Sequence, residues 1–149
     1  MDVVIGIGNP LRGDDGIGPR VAGELAPTSS VEVRVVHQLT PDMALWLKDA
    51  ARVLFVDAGV DGEAARVRRI HPSSRGVVGH SLSPEALLGW TEWVYERAPE
   101  AWLLAVPGRS FDVAEGLSRE VERAVPAAVE AARTWIRGEP GGRTREEEA

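Results

Sequence analysis

Hydrophobic and polar positions along the chain follow two periods, one typical of strands and one typical of helices. Apolar β-branched runs, or alternation with a period of two, predict strands at residues 2–8, 31–36, 52–57 and 101–106, with an edge strand at 65–70. Apolar residues that recur every three or four positions predict helices at residues 16–25, 40–50, 83–97 and 118–136. This order predicts an α/β fold of three layers (α/β/α), with a mostly parallel five-stranded sheet and helices on both faces.

The ends of these elements carry their own signals. Thr40, Ser83 and Ser118 are each predicted to cap the start of a helix. One domain over residues 1–136 contains all of the predicted elements, and the polar, Gly- and Pro-rich residues 137–149 are predicted to form a disordered tail. The tryptophans fit helix and strand faces and are predicted to lie in the core. They include Trp46, Trp90, Trp93 and Trp102.

Composition narrows the classes of function. The chain has 149 residues, a formal net charge of −6 and no basic cluster, so a nucleic-acid phosphate backbone would be repelled. The absence of cysteine excludes disulfides, cysteine metal sites and a thiol nucleophile. No basic run precedes an apolar stretch, and no apolar run approaches the roughly 18 residues of a membrane span. We therefore expect a cytoplasmic protein that binds neither membrane nor nucleic acid.

The segment GIGNPLRGDDGIG, residues 6–18, joins the first strand to the first helix and is unusual in its chemistry. A turn that needs only shape has no use for two adjacent acids, because their like charges repel. Asp14 and Asp15 nevertheless stand side by side here. In open parallel sheets, ligands bind beyond the carboxyl ends of the strands, at the point where the strand order reverses. An acid pair at this place indicates a metal site, a proton transfer or a cationic substrate.

A second acid and a histidine are expected at the same edge of the sheet. If the first and third strands are neighbours, as in the order 2-1-3, Asp57 at the end of the third strand lies beside Asp15. His80 precedes the helix at Ser83, which returns to that edge. Two carboxylates and one imidazole form a ligand set for a divalent transition metal with open coordination positions. No Ser or Cys nucleophile stands out, so hydrolysis would use a bound, activated water.

Each of these residues also has a structural interpretation. Asp15 can serve only as a helix cap, and Asp57 can simply end a strand before a turn. A lone loop histidine such as His80 is more often structural or solvated. His37 and His71 are weaker candidates, because neither lies where the first turn and Asp57 are expected to converge. The hypothesis therefore depends on the three residues meeting.

Several short motifs together carry a resemblance to a known family. The first is a strand followed by Gly-x-Gly-Asn, a short turn, two acids and a glycine, formed here by Gly6, Gly8, Asn9, Asp14, Asp15 and Gly18. The others are Asp57-Ala58, whose acid closes a buried strand, His80 in GHSLSP, and residues 107–125, which look like the family's region before its last helix. Over residues 2–136 the chain resembles the hydrogenase maturation proteases, the endopeptidases that trim the C-terminus of the large subunit of nickel–iron hydrogenases.

This resemblance implies a fold of the phosphorylase/hydrolase-like kind, a function and a partner. The protein would be a hydrolase, an aspartyl endopeptidase-like protease, that acts as a monomer on the precursor of a hydrogenase large subunit. Asp15, Asp57 and His80 would be both catalytic residues and metal ligands, and they would engage nickel that the substrate already holds. Another divalent cation is possible in place of nickel. The metal would signal that cofactor loading is complete, and the C-terminal extension would then be removed.

Four further residues are expected to support the ligands or to face the substrate: Asn9, Asp14, His37 and Gln38. The segment that follows the second strand departs from the family pattern, which often has a Gly-Gly-Thr type turn there. This chain has His37-Gln38-Leu39-Thr40-Pro41 instead, which implies a differently shaped loop. Because the loop is expected to face the substrate, the identity of the target subunit stays open, and a divergent member with another substrate fits as well.

Two other functions remain open from the sequence. GIGNP also resembles the opening of the peptidyl-tRNA hydrolases, but Leu11 replaces their glycine, their Thr-Arg-His-Asn segment is absent, and the acidic balance disfavours tRNA. A non-catalytic module that binds metal or a partner protein on the same fold is the other alternative.

Overall fold

The structure is a computed structural model that describes residues 1–59, 65–75, 77–78 and 81–138. Five strands form the main sheet in the order β2-β1-β3-β7-β4, and β5 and β6 form a separate antiparallel pair. The strands are β1 (Asp2–Ile7), β2 (Val31–Val36), β3 (Arg52–Gly59), β4 (Arg66–Ile70), β5 (Val77–Val78), β6 (Ser81–Leu82) and β7 (Glu100–Pro107). Among the described strands of the main sheet, only β4 runs antiparallel to its neighbour. The predicted mostly parallel sheet and the neighbouring first and third strands are confirmed.

In the described part of the chain, four α-helices connect or flank these strands: α1 (Ile17–Gly23), α2 (Ala44–Leu47), α3 (Pro84–Tyr95) and α4 (Arg119–Arg137). The side chains of Ser83 and Ser118 accept hydrogen bonds from backbone N–H groups in the first turns of α3 and α4, as predicted caps do. Gly138 ends α4 in the left-handed conformation. Residues 139–149, which carry most of the predicted tail, lie outside the described residues.

Two of the helix predictions were wrong in extent. The predicted helix at 16–25 is a 3₁₀ turn at Gly13–Gly16 followed by the short α1. The predicted helix at 40–50 is a 3₁₀ turn at Pro41–Met43 followed by the single turn of α2. The hydroxyl of Thr40 donates to the side chain of Asp42 instead of capping a backbone N–H. Short segments of this kind are fixed by tertiary packing more than by helix propensity.

The core lies on both faces of the sheet because successive strand residues point to opposite sides. In β3, Leu54 and Val56 belong to the cluster that α1 and α4 cover. Val53 and Phe55 belong to the cluster that α2 and α3 cover. This arrangement confirms the predicted three layers. Within the described parts of the chain, no helix has the length and apolar character needed to cross a bilayer.

The prediction that the tryptophans lie in the core was wrong for two of them. Trp102 and Trp135 are buried and meet edge to face. Trp90 and Trp93 of α3 are instead 41% and 77% exposed. The buried face of α3 is formed by Ala86, Leu87, Leu88 and Thr91.

Candidate functional site

The candidate site lies where β1 and β3 end, at the point where the strand order reverses. Asp15 is in the 3₁₀ turn that follows β1, and Asp57 is in β3, which pairs with β1 in parallel. Gly6 pairs with Val56, so Asp57 is one residue further toward the carboxyl edge. The structure therefore brings together the two acids that the sequence predicted to be neighbours.

Two glycines allow the turn with Asp15 to approach the sheet this closely. A Cβ atom on Gly8, whose φ is +147°, would lie 1.8 Å from the backbone oxygen of Asp15. A Cβ atom on Gly18 would lie 2.2 Å from the oxygen of Ile7 and 2.5 Å from the oxygen of Val56. The start of α1 thus rests directly on the backbones of β1 and β3. A side chain at either position would clash with these backbone oxygens, so the turn or α1 would have to move.

We expect Gly18→Ala to destabilise the protein, although alanine is the better helix former. The new methyl group would meet two backbone oxygens that cannot move without shifting β1 and β3. The free energy of unfolding in urea should fall by about 3 kcal/mol. Gly23→Ala in the same helix is the matched control, because a Cβ atom there meets nothing within 4 Å. The control should be neutral or stabilising by up to about 1 kcal/mol, and equal effects at both positions would contradict the close approach.

The carboxylate of Asp15 is hydrogen-bonded to Asn9, near the start of the turn that follows β1. Its Oδ2 accepts a hydrogen bond of 2.7 Å from the backbone N–H of Asn9. The side chain of Asn9 in turn accepts from the N–H of Leu11 at 2.9 Å. The cap position of α1 is Gly16, where no side chain caps the helix, so the alternative that Asp15 is only a helix cap is wrong. Asn9 instead orients the carboxylate of Asp15 through its backbone.

Asp57 is half-buried and holds its proton unusually tightly. Burial raises its pKa most, the N–H of Ala58 at 2.8 Å lowers it, and the negative charge of Asp15 raises it, to about 7. β3 continues to Gly59, so the alternative that Asp57 simply ends the strand is also wrong. A carboxyl group that titrates near neutral pH beside a second carboxylate is typical of functional sites.

Asp14 is fully buried and forms its hydrogen bonds with a different part of the chain. Its carboxylate accepts hydrogen bonds of 2.7 and 2.8 Å from the N–H groups of Arg109 and Ser110, and of 2.7 and 2.9 Å from the N–H and hydroxyl of Ser118. Burial alone would raise the pKa of Asp14, but these four bonds together lower it below its usual range. Asp14 does not cap α1, whose cap position is Gly16; its hydrogen bonds connect the loop after β7 to the turn that carries Asp15.

The third predicted ligand, His80, lies outside the described residues. The strand that follows it is described: the N–H of Leu82 in β6 donates to the backbone oxygen of Leu39 at 3.1 Å. His37 and Gln38, two predicted substrate-loop residues, are exposed just before Leu39, and His71 is exposed after β4. Among the residues with described positions, no three His, Asp or Glu side chains form a metal-binding group.

The sequence interpretation missed the partners of Asp14. Arg109 and Ser118 are 95 and 104 positions away along the chain, and they meet Asp14 only through the tertiary fold. A signal was nevertheless present, because two adjacent acids in one turn need two different environments if both are to be ionised. Here one acid is satisfied by backbone donors and the other faces Asp57.

Comparison with known proteins supports the fold. No protein-family profile and no curated protein sequence matches the chain. The hydrogenase maturating endopeptidase HybD from E. coli is 20% identical, with a TM-score of 0.75 over 92% of each chain. The [NiFe] hydrogenase maturation protease HycI from Thermococcus kodakarensis KOD1 is 23% identical, with a TM-score of 0.68 over 88% of each chain. The hydrogenase 2 maturation peptidase from Thaumarchaeota archaeon SCGC_AB-539-E09 is 28% identical, with a TM-score of 0.65 over 91% of this chain and 97% of that one. The predicted resemblance is confirmed: the chain has the fold of the [NiFe] hydrogenase maturation proteases.

Proposed function

We propose that this protein is an endopeptidase that removes the C-terminal extension of a nickel–iron hydrogenase large subunit after nickel has been inserted. Asp15, Asp57 and His80 would contact the nickel that the precursor carries. The observation that carries the proposal is the pairing of Asp15 with Asp57, whose pKa is raised to about 7, at the ligand-binding edge of this fold. The proteases named above share that fold and are named for the same process.

The chemistry of the two acids suits a metal that arrives with the substrate. Without a cation, the two carboxylates repel each other, and the raised pKa of Asp57 lets it hold a proton up to about pH 7. A divalent cation would replace that proton, because a carboxylate must be deprotonated to act as a ligand. Oxygen and nitrogen ligands with open positions can complete the coordination of a metal that another protein holds. Because the acids would bind the precursor through its nickel, the protein would act on the nickel-loaded precursor and not on the nickel-free one.

The supporting residues fit the same proposal. The segment 37–41 exposes His37 and Gln38 beside β6, which directly follows His80 in the chain. We propose that this segment faces the precursor, with Asn9 and Asp14 fixing the turn that holds Asp15. We further propose that the protein acts as a cytoplasmic monomer and that residues 1–136 suffice for folding.

The test is the mass of a purified, nickel-loaded large-subunit precursor before and after incubation with the protein. The wild type is expected to release a C-terminal peptide. Asp15→Asn keeps the shape of the side chain but removes its charge, and it should slow the release about 100-fold or more. Asp49→Asn, at an exposed carboxylate, is the control and should behave as the wild type. An intact precursor with the wild type would overturn the proposal, and precursor that is bound but uncut would favour the non-catalytic module.

A further inference from the structure

Two aromatic side chains of α3 are left exposed next to each other. The ring centroids of Trp90 and Trp93 are 5.6 Å apart and the rings are stacked. Trp93 is 77% exposed, which is unusual for the largest apolar side chain. Clustered exposed apolar surface on a folded protein marks an interaction site more often than a structural one.

The two tryptophans border a groove of about 690 Å³, which we call the α3 groove. A volume of this size suits several side chains of a bound polypeptide or a small ligand. Glu92 is the one ionisable residue among the described residues that line it, so the groove favours apolar groups. The other principal lining residues are Pro41, Pro72, Leu82 and Ala86.

The wall opposite α3 is fixed in place. The N–H of Ser73 donates to the backbone oxygen of Glu85 at 3.0 Å. A Cβ atom on Gly89 would lie 2.2 Å from the oxygen of Ser73, so the segment 71–75 rests directly on the helix backbone. The groove is therefore preformed, which lowers the entropy lost when a ligand binds.

The α3 groove adjoins the segments that flank the candidate site. Leu82, which lines the groove, is bonded through its N–H to Leu39, and Pro41 of the same segment lines the groove as well. His80 is two positions before Leu82 in the chain. A polypeptide bound across segment 37–41 would therefore contact Pro41 and Leu82, which line the same groove as the two tryptophans.

We propose that the α3 groove binds an apolar segment of the metal-carrying precursor polypeptide, outside the bond that is cut. This inference rests on the proposed function and adds a second substrate contact to it. The indole rings offer apolar faces to side chains and N–H donors to main-chain oxygens. A second copy of the chain suits the groove less well, because each copy carries a net charge of −6 and the two would repel each other.

The test separates substrate binding from turnover. For Trp93→Ser, we expect KM for the nickel-loaded precursor to rise about tenfold and kcat to stay within about twofold of the wild type. Trp93→Phe keeps an aromatic face, so its KM should lie much closer to that of the wild type than to that of Trp93→Ser. Leu45→Ser changes an apolar residue of α2 that is 57% exposed and lies outside the groove, so this control should leave KM unchanged. Binding of the precursor to each protein is measured in parallel by biolayer interferometry.

The outcomes distinguish this inference from the proposed function. Cleavage by the wild type with an equal KM for Trp93→Ser would overturn the groove proposal alone. Binding without cleavage, weakened by Trp93→Ser, would support the groove and overturn the protease function. Neither binding nor cleavage would overturn both. A wild-type dimer in sedimentation that Trp93→Ser dissociates, with KM unchanged, would assign the groove to self-association and overturn the proposal.

Discussion

Asp57→Asn is expected to abolish cleavage of the precursor and at the same time to make the protein more stable above pH 7. The amide is a poor metal ligand, so cleavage should fall about 100-fold or more. The stability gain follows from burial: the folded state raises the pKa of Asp57 to about 7, from an ordinary value of 3.8. Ionising this group therefore costs folding free energy that the neutral amide does not, and the amide oxygen can still accept from the N–H of Ala58.

The sign of the pH dependence follows from proton binding. Between about pH 4 and pH 7 the folded state holds the Asp57 proton and the unfolded state has released it, so the wild type loses stability as the pH rises. The slope is at most about 1.4 kcal/mol per pH unit, and the variant lacks it. Urea unfolding at pH 4, 5, 6, 7 and 8 measures both proteins, with Asp49→Asn as the exposed control. If the stability of the wild type and of Asp57→Asn changed in parallel across this range, the folded state would not raise the pKa of Asp57.

Asp14→Ala is expected to cause a large loss of stability. The fold stabilises the ionised form of Asp14, whereas it disfavours the ionised form of Asp57. The buried carboxylate accepts from three backbone N–H groups and one hydroxyl of the loop after β7, and alanine would leave these donors without their partner. We expect a loss of about 3–5 kcal/mol in the free energy of unfolding. Asp112→Ala changes an exposed carboxylate of the same loop and should cost less than about 0.5 kcal/mol.

The contribution of Asp14 to the stability of the protein also depends on pH. The pKa of Asp14 is lowered in the folded state, so its stabilising contribution is fully present above its ordinary value of 3.8 and is lost as the pH falls through the lower folded value. The difference between wild type and Asp14→Ala should be constant above about pH 5 and should shrink below pH 4. A loss below about 1 kcal/mol at pH 7 would mean that the loop is held by other contacts.

The positions of the two acids at one edge of the sheet could be predicted from the sequence, because they depend on long, regular strands. Buried runs fixed β1 and β3, and the strand order placed Asp57 beside Asp15. The strands β5 and β6 are two residues each, too short for a periodic signal, and they were not predicted. Local patterns also gave no indication of the contact between Asp14 and Ser118, which depends on how the chain closes over the sheet.

Hydrophobicity by itself misled the interpretation of α3. Trp90 and Trp93 are three positions apart and share one face of the helix, and the same spacing is found on a buried face. Only the structure shows that Leu87 and Leu88 occupy the core and that the tryptophans remain outside. The exposed pair then becomes informative, because clustered exposed apolar side chains are typical of interaction sites.

The most direct test of a substrate-borne metal is to compare cleavage rates for the same precursor with and without nickel. The wild-type protein is expected to release the C-terminal peptide from the loaded precursor and to leave the nickel-free precursor at its original mass. Equal cleavage of both forms would contradict the claim that Asp15, Asp57 and His80 act through the metal that the substrate carries.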